Sequence, residues 1–293
     1  MDLIKEYREK YGAGDDDHYI ATETKDILGS IPEEFSTPSH LKKIFSLLDL
    51  TTLNPEDNDE TAHRFTLALN GFQASFPDMP QVAALCIYPL LVEEVRKGLA
   101  APGVRIAAVG AGFPSSQTFL AVKLAECGML VKKGADEIDV VISVGRFLAG
   151  DHLAVLNELI LIREATAGVR LKVILETGLL KTSANIRLAG LIAMEAGADF
   201  IKTSTGKIPV AATPEAVYTM AVTIRDYFAL TGRAVGIKPA GGIAEVGDAI
   251  SYYALIHKLL GGEWLVPERF RIGASRLANN LLSVISGQEV RYF

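Results

Sequence analysis

Two cysteines, Cys86 and Cys127, are all that the 293 residues contain, which excludes a disulfide framework and leaves a reducing, cytoplasmic setting as the expectation. No apolar run is long enough to cross a bilayer: Leu156 to Ile162 comes nearest and is broken by Asn157, Glu158 and Arg163. Met1 to Tyr11 is charged and lacks the apolar core of a signal peptide. Lysine and arginine do not cluster, and the net charge of −6 argues against a nucleic-acid partner, so an anionic ligand needs a local site. The five histidines, His18, His40, His63, His152 and His257, show neither His-x-His nor His-Glu-x-x-His spacing, and no metal site is expected. Gly110-Ala-Gly112 starts like a dinucleotide fingerprint, but Ser115 holds the third glycine position and Pro114 intrudes, so no cofactor is expected either.

What the chain has is apolar material in short runs. At 49% hydrophobic and 22% charged residues it can bury a full core. Eight runs recur with helix-like segments between them: Ile44 to Leu50, Val82 to Tyr88, Arg105 to Gly110, Glu137 to Ser143, Leu171 to Thr177, Asp199 to Ser204, Ala234 to Ala240 and Phe270 to Ala274. Asp57 with Glu60 reads as a capping box, Ser115 opens a helical segment that closes at Gly134, and Thr213-Pro214 places a cap before a first-turn proline. Continuous apolar strands alternating with helices imply a parallel sheet covered on both faces, and eight of them imply an α/β fold closed as a single (β/α)8 TIM barrel rather than a doubly wound sheet. Residues 1–40, polar and carrying Asp15-Asp16-Asp17, read as an N-terminal extension outside the main core, and 41–293 as one barrel domain, because no Pro, Gly or Ser-rich linker divides them.

Lys202 and Lys238 stand inside apolar strand-like runs. Burial strips an ammonium of water and lowers its pKa, and a neutral amine is what imine formation with a carbonyl requires. On neighbouring strands, one lysine would be the nucleophile and the other would depress its pKa. By alternation Glu137 and Asp139 share one face of their run, and one acid is expected to point inward. Lys172, early in its run, reads as a structural ion pair below the mouth. Gly241-Gly242 and Gly273-Ala-Ser275 follow the last two strands, where barrels hold phosphate, and Gly206-Lys207 offers a third side. Cys86 is either a small buried apolar residue or part of the pocket wall at a strand end.

Leu48-Asp-Leu-Thr-Thr-Leu-Asn54, Cys86-Ile-Tyr-Pro89, Gly112-Phe-Pro114, Glu137-Ile-Asp-Val-Val141, Phe200-Ile-Lys-Thr-Ser-Thr-Gly-Lys207, Ile237-Lys-Pro-Ala-Gly-Gly242 and Phe270-Arg-Ile-Gly-Ala-Ser275 occur in this order. Through them the chain, from about Ile44 to Leu282, resembles the 2-deoxyribose-5-phosphate aldolase family. The resemblance implies a metal-independent class I aldolase that reversibly cleaves 2-deoxy-D-ribose 5-phosphate to acetaldehyde and D-glyceraldehyde 3-phosphate, in deoxyribonucleoside catabolism. It makes Lys202 the Schiff-base lysine, Lys238 its pKa-perturbing neighbour and Asp139 the acid of proton transfer. It also puts Asp49, Thr51 and Asn54 in or beside the pocket; the reading of the residues adds Cys86 and Lys207 at the substrate, and Gly206, Gly241, Gly242, Gly273 and Ser275 at the phosphate. Many relatives carry an arginine after the glycine pair, where this chain has Ile243-Ala244-Glu245; Arg276, where relatives have a small or polar residue, is the candidate to restore that charge. Tyr292 matches a tail tyrosine that some members use in proton transfer. The alternatives are a class I aldolase for another sugar phosphate and a non-catalytic sugar-phosphate-binding barrel. Self-association is expected, as a homo-oligomer with a dimer favoured.

Overall fold

Short runs buried on both faces pair with their neighbours in sequence, and the last of them also with the first. In the computed structural model, which describes residues 3–293, these are β1 (Leu48–Thr51), β2 (Ala84–Ile87), β3 (Arg105–Gly110), β4 (Glu137–Val141), β5 (Arg170–Ile174), β6 (Phe200–Lys202), β7 (Gly236–Lys238) and β8 (Ile272–Ala274). All pairings are parallel, in the order β7-β6-β5-β4-β3-β2-β1-β8, and the bridges Ile237 to Phe270 and Ala240 to Gly273 bring β8 back against β7. The sheet therefore closes into a (β/α)8 barrel, with helices such as Leu120–Lys133, Ser183–Glu195 and Pro214–Thr231 covering its outside. None of the described helices is long and apolar enough to cross a membrane.

Punctuation works as expected at two points and differently at three. Thr213 accepts the amide of Ala216 ahead of Pro214, and Gly134 closes its helix with φ +93°. The expected strand from Ile44 instead begins at Leu48, because Ile44 and Phe45 finish the helix Pro38–Phe45 with their side chains fully buried; a short apolar run fits either period. Asn58, not Asp57, caps the helix Asp59–Ser75, while the Asp57 carboxylate turns back to accept from Thr52 Oγ1 (2.7 Å) and the Asn54 amide (2.9 Å). The segment opened at Ser115 stays a loop until Leu120, with Ser116 at φ +57°.

The N-terminal segment is not outside the core. Leu3, Tyr7, Tyr11, Ile20, Ile27 and Phe35 are buried in the same apolar cluster as the barrel's helices. Tyr11 stacks on Tyr227 with ring centroids 5.7 Å apart, and Lys10 pairs with Glu195 at 2.6 Å. The acidic cluster is used locally: Asp16 caps the helix Asp17–Gly29 and Asp17 accepts the Ser183 amide at 2.9 Å. The division at residue 40 falls inside the helix Pro38–Phe45.

Candidate active site

Strand alternation and register gather seven charged side chains inside the barrel. Lys202 lies opposite Lys238 across β6 and β7, and Asp139 opposite Lys172 across β4 and β5. Asp49 from β1, Glu137 from β4 and Arg271 just before β8 complete the group, and none of the seven is more than 3% exposed. Both acids of β4 point inward, where one was expected. Lys202 Nζ and Lys238 Nζ each lie 2.8 Å from the same oxygen, Asp139 Oδ2. Lys238 also reaches Asp49 at 2.5 Å. Lys172 touches Glu137 at 2.5 Å, Asp49 at 2.9 Å and Asp139 Oδ1 at 3.2 Å, so its ion pairs lie below the mouth, as expected, yet extend to the acid between the two lysines. Arg271 sits beneath, bonded to Asp49 at 2.5 Å and Glu137 at 2.8 Å.

The charges do not balance. Four buried cations face three buried carboxylates, which leaves one positive charge in excess where water cannot screen it. Desolvation lowers the pKa of Lys202, and Lys238 adds to the lowering against the pull of Asp139. Burial acts on Lys238 in the same sense, but Asp139 and Asp49 overcome it and hold its pKa well above the ordinary lysine value. Lys172 is likewise raised, because Asp139, Asp49 and Glu137 outweigh its burial. Desolvation would raise Asp49 and Asp139, and the surrounding cations reverse this and keep both carboxyls below their usual range. Of the three buried lysines, Lys202 is thus the one whose proton is held least strongly. The site can present one neutral amine beside a charged ammonium and a carboxylate, the set that imine chemistry needs.

Above this layer opens a cleft of about 230 Å3. Thr51 and Asn54 border it on one side, Lys202, Gly206 and Lys207 on another, and Gly241, Gly242, Gly273, Ser275 and Arg276 on the third. Gly241 has φ +87°, and a Cβ there would lie 2.7 Å from the Ala211 side chain and 3.0 Å from Gly206 Cα, so the close approach of the two loops requires glycine. Lys207 reaches across to donate to the Leu53 carbonyl. Ser275 and Arg276 are exposed at the start of the helix Leu277–Ser286, and Glu245 is exposed before the helix Val246–Leu260.

Asp139 and Lys238 lie in the charged layer under Lys202 rather than on the cleft wall, and three further residues marked in the sequence do not border the cleft either. Asp49 lies under Lys238, fully buried, so its contacts are with cations. Cys86 is fully buried in a small apolar cluster with Leu53, Ala107 and Val109, and its burial raises the thiol pKa. Tyr292 is docked on the outside: its hydroxyl donates to the Ala68 carbonyl at 2.9 Å, its ring packs on Phe72 and Phe76, and Asn279 accepts its amide.

This geometry has counterparts. Residues 44–254 match the family model described as DeoC/LacD family aldolase. The chain belongs to that family. The human deoxyribose-phosphate aldolase is 41% identical over 256 residues, covering 82% of this chain and 79% of the human one. A solved structure from Toxoplasma gondii superimposes with a TM-score of 0.75 at 21% identity, covering 87% of this chain and 97% of that one, a likeness of fold. The deoxyribose phosphate aldolase of Aeropyrum pernix, whose structure is described as a unique tetramer, superimposes with a TM-score of 0.64 at 25% identity over 92% of this chain and 98% of its own.

Within this aldolase scaffold two contributors escaped the sequence reading. Arg271 carries the same signal as the lysines, a charge inside the apolar run Phe270-Arg-Ile272. Glu176 closes the run Leu171 to Thr177 and accepts from the Thr205 amide (3.1 Å) and hydroxyl (2.6 Å). Only register could have shown that its partner stands on the next strand's loop.

Proposed function

We propose that this chain is a class I deoxyribose-phosphate aldolase, cleaving 2-deoxy-D-ribose 5-phosphate to D-glyceraldehyde 3-phosphate and acetaldehyde through a Schiff base on Lys202. The observation that carries the reading is the unbalanced buried network, in which two lysines share one Asp139 oxygen and, of its three lysines, Lys202 is the one with a lowered pKa. As the free amine, Lys202 attacks the C1 aldehyde of the open-chain sugar, and loss of water leaves a protonated imine. That cation restores the excess positive charge which the network resists. Removal of the C3 hydroxyl proton and cleavage of the C2–C3 bond send an electron pair to the nitrogen, releasing C3 to C5 as glyceraldehyde 3-phosphate and leaving C1 and C2 as a neutral enamine. The surroundings thus favour the uncharged nitrogen on either side of the imine, as the free amine before it forms and as the enamine after the cleavage. Protonation of the enamine carbon and hydrolysis release acetaldehyde and return Lys202.

Asp139, held ionised between the lysines, is the proton acceptor of the cycle, and Lys238, held charged, is the donor-side partner across the same carboxylate oxygen. The phosphate is assigned to the glycines at 206, 241, 242 and 273 with Ser275, Arg276 and Lys207, which supports a phosphorylated rather than a free sugar. Asp49 supports the reaction from below, as counter-ion to Lys238. A homo-oligomer, a dimer in the first instance, and a cytoplasmic role in deoxynucleoside catabolism belong to the same reading; the tetramer described for the Aeropyrum pernix enzyme supports self-association. Cleavage of deoxyribose 5-phosphate, followed by coupled reduction of the triose phosphate, tests it. Turnover abolished by Lys202→Ala is expected, and turnover by the variant equal to wild type would contradict the assignment.

A further inference from the structure

The backbone takes an unusual path just after β5. Glu176 has φ +57° and ψ +56°, a left-handed conformation that side-chain-bearing residues seldom adopt, and it is only 3% exposed. A buried carboxylate in a strained turn, with no contact to the lysine network, needs a use. Its two oxygens are both committed to one residue on the next strand's loop: Oε1 accepts the Thr205 amide at 3.1 Å and Oε2 the Thr205 hydroxyl at 2.6 Å. Thr205 Oγ1 in turn accepts the amide of Lys207 at 3.1 Å. The neighbours of Glu176 fit the same loop: the Thr177 amide donates to the Thr203 carbonyl at 2.9 Å, and a Cβ on Gly178 would lie 2.2 Å from the Val210 carbonyl oxygen. The turn at 176–178 is therefore a template for residues 203–210, which leave β6 at Lys202 and form one wall of the cleft.

We propose that Glu176 is a positioning residue for recognition of the substrate's phosphate, acting through Thr205 to fix the turn that carries Gly206 and Lys207. It rests on the aldolase reading above and deepens it. The chemistry calls for a carboxylate, since an N–H and an O–H donor must both be met at one residue, and an ionised carboxyl offers two acceptors where an amide offers one. Fixing Thr205 fixes Gly206, whose Cα stands 3.0 Å from where a Gly241 Cβ would be, so the two phosphate-facing turns share one register. Glu176 does not touch Lys202, so imine chemistry on a small unphosphorylated aldehyde is independent of it.

The test compares wild type with Glu176→Ala and Glu176→Gln on deoxyribose 5-phosphate and on unphosphorylated deoxyribose, with borohydride trapping of acetaldehyde on Lys202 alongside. Glu176→Ala is expected to raise KM for the phosphorylated sugar about tenfold, to leave kcat/KM for free deoxyribose within about twofold, and to leave trapping unchanged, with Glu176→Gln between the two. Equal losses on both sugars, or a normal KM in Glu176→Ala, would overturn the proposal. Should Glu176→Ala not fold, Thr205→Val must show the same split between the sugars. If the wild type turns over no deoxyribose 5-phosphate, the aldolase reading fails by itself. Calorimetry with inorganic phosphate then decides the positioning role: about tenfold weaker binding in Glu176→Ala or Thr205→Val supports it, and unchanged binding overturns it.

Discussion

Lys202 has one carboxylate partner where Lys238 has two and Lys172 three. That difference, more than burial, which all three share, selects which amine gives up its proton. Lys238→Leu removes the repelling charge and leaves buried cations and carboxylates equal in number, so Lys202 keeps its proton to higher pH. The rising limb of the pH profile of kcat/KM is expected to move upward in that variant; a limb that stays or moves down would contradict the electrostatic account. Lys202→Met removes the amine that the network cannot neutralise. It should abolish turnover yet raise Tm by about 2–4 °C in a thermal melt, whereas a lower Tm would mean that Lys202 contributes to stability. The carboxylates have the opposite linkage. Asp49, Glu137 and Asp139 titrate lower when folded than when unfolded, so the stability they contribute is complete above the unfolded carboxylate pKa of about 4 and is lost as pH falls below it. Urea midpoints measured from pH 6 down to pH 3 should fall mainly below pH 4.

Loops and strand ends convert these side chains into a site. The turns after β6 and β7, with Gly206 and Gly241, meet the strand residue Gly273 of β8, and the two turns approach so closely that a side chain at 241 has no room. Gly241→Ala is therefore expected to cost about 1–2 kcal/mol of stability and to raise KM for deoxyribose 5-phosphate more than for free deoxyribose. Replacing Arg276 with alanine should produce the same selective rise without loss of Tm, because the side chain is exposed and bonds to nothing in the fold that the cleft depends on; equal effects on both sugars would remove Arg276 from the phosphate. At this scale the sequence was readable at Lys202, Lys238 and Asp139, where a charge interrupts an apolar run, though Arg271 carries the same signal. It was unreadable where the signal is register: nothing local says that Glu176 faces Thr205, whereas the alternation that puts Glu137 and Asp139 on one face already implies that both turn inward together. Asp57 looked like a cap by spacing, yet Asn58 caps, because Asp57 found a better use holding the loop after β1.

For the whole molecule, the eight-fold alternation of apolar run and helix announced the barrel, while the tie between barrel and N-terminal segment did not show. Leu3, Tyr7, Tyr11 and Ile20 look like scattered apolar residues in a polar stretch, and only the helical period, seen against the grooves between outer helices, makes them one buried stripe. Tyr11→Ala should cost about 3 kcal/mol in chemical denaturation, through the lost stack on Tyr227 and the freed Glu195 carboxylate, while leaving KM unchanged. A change below about 0.5 kcal/mol would return the segment to the status of a loose arm. The account's central claim, that a buried excess of positive charge turns Lys202 into a nucleophilic amine, is tested most directly by incubating the protein with acetaldehyde and borohydride and mapping the reduced adduct by peptide mass spectrometry. The account predicts one adduct, on Lys202, forming near neutral pH; an adduct on Lys238 or Lys172, or none without strong alkali, would contradict it.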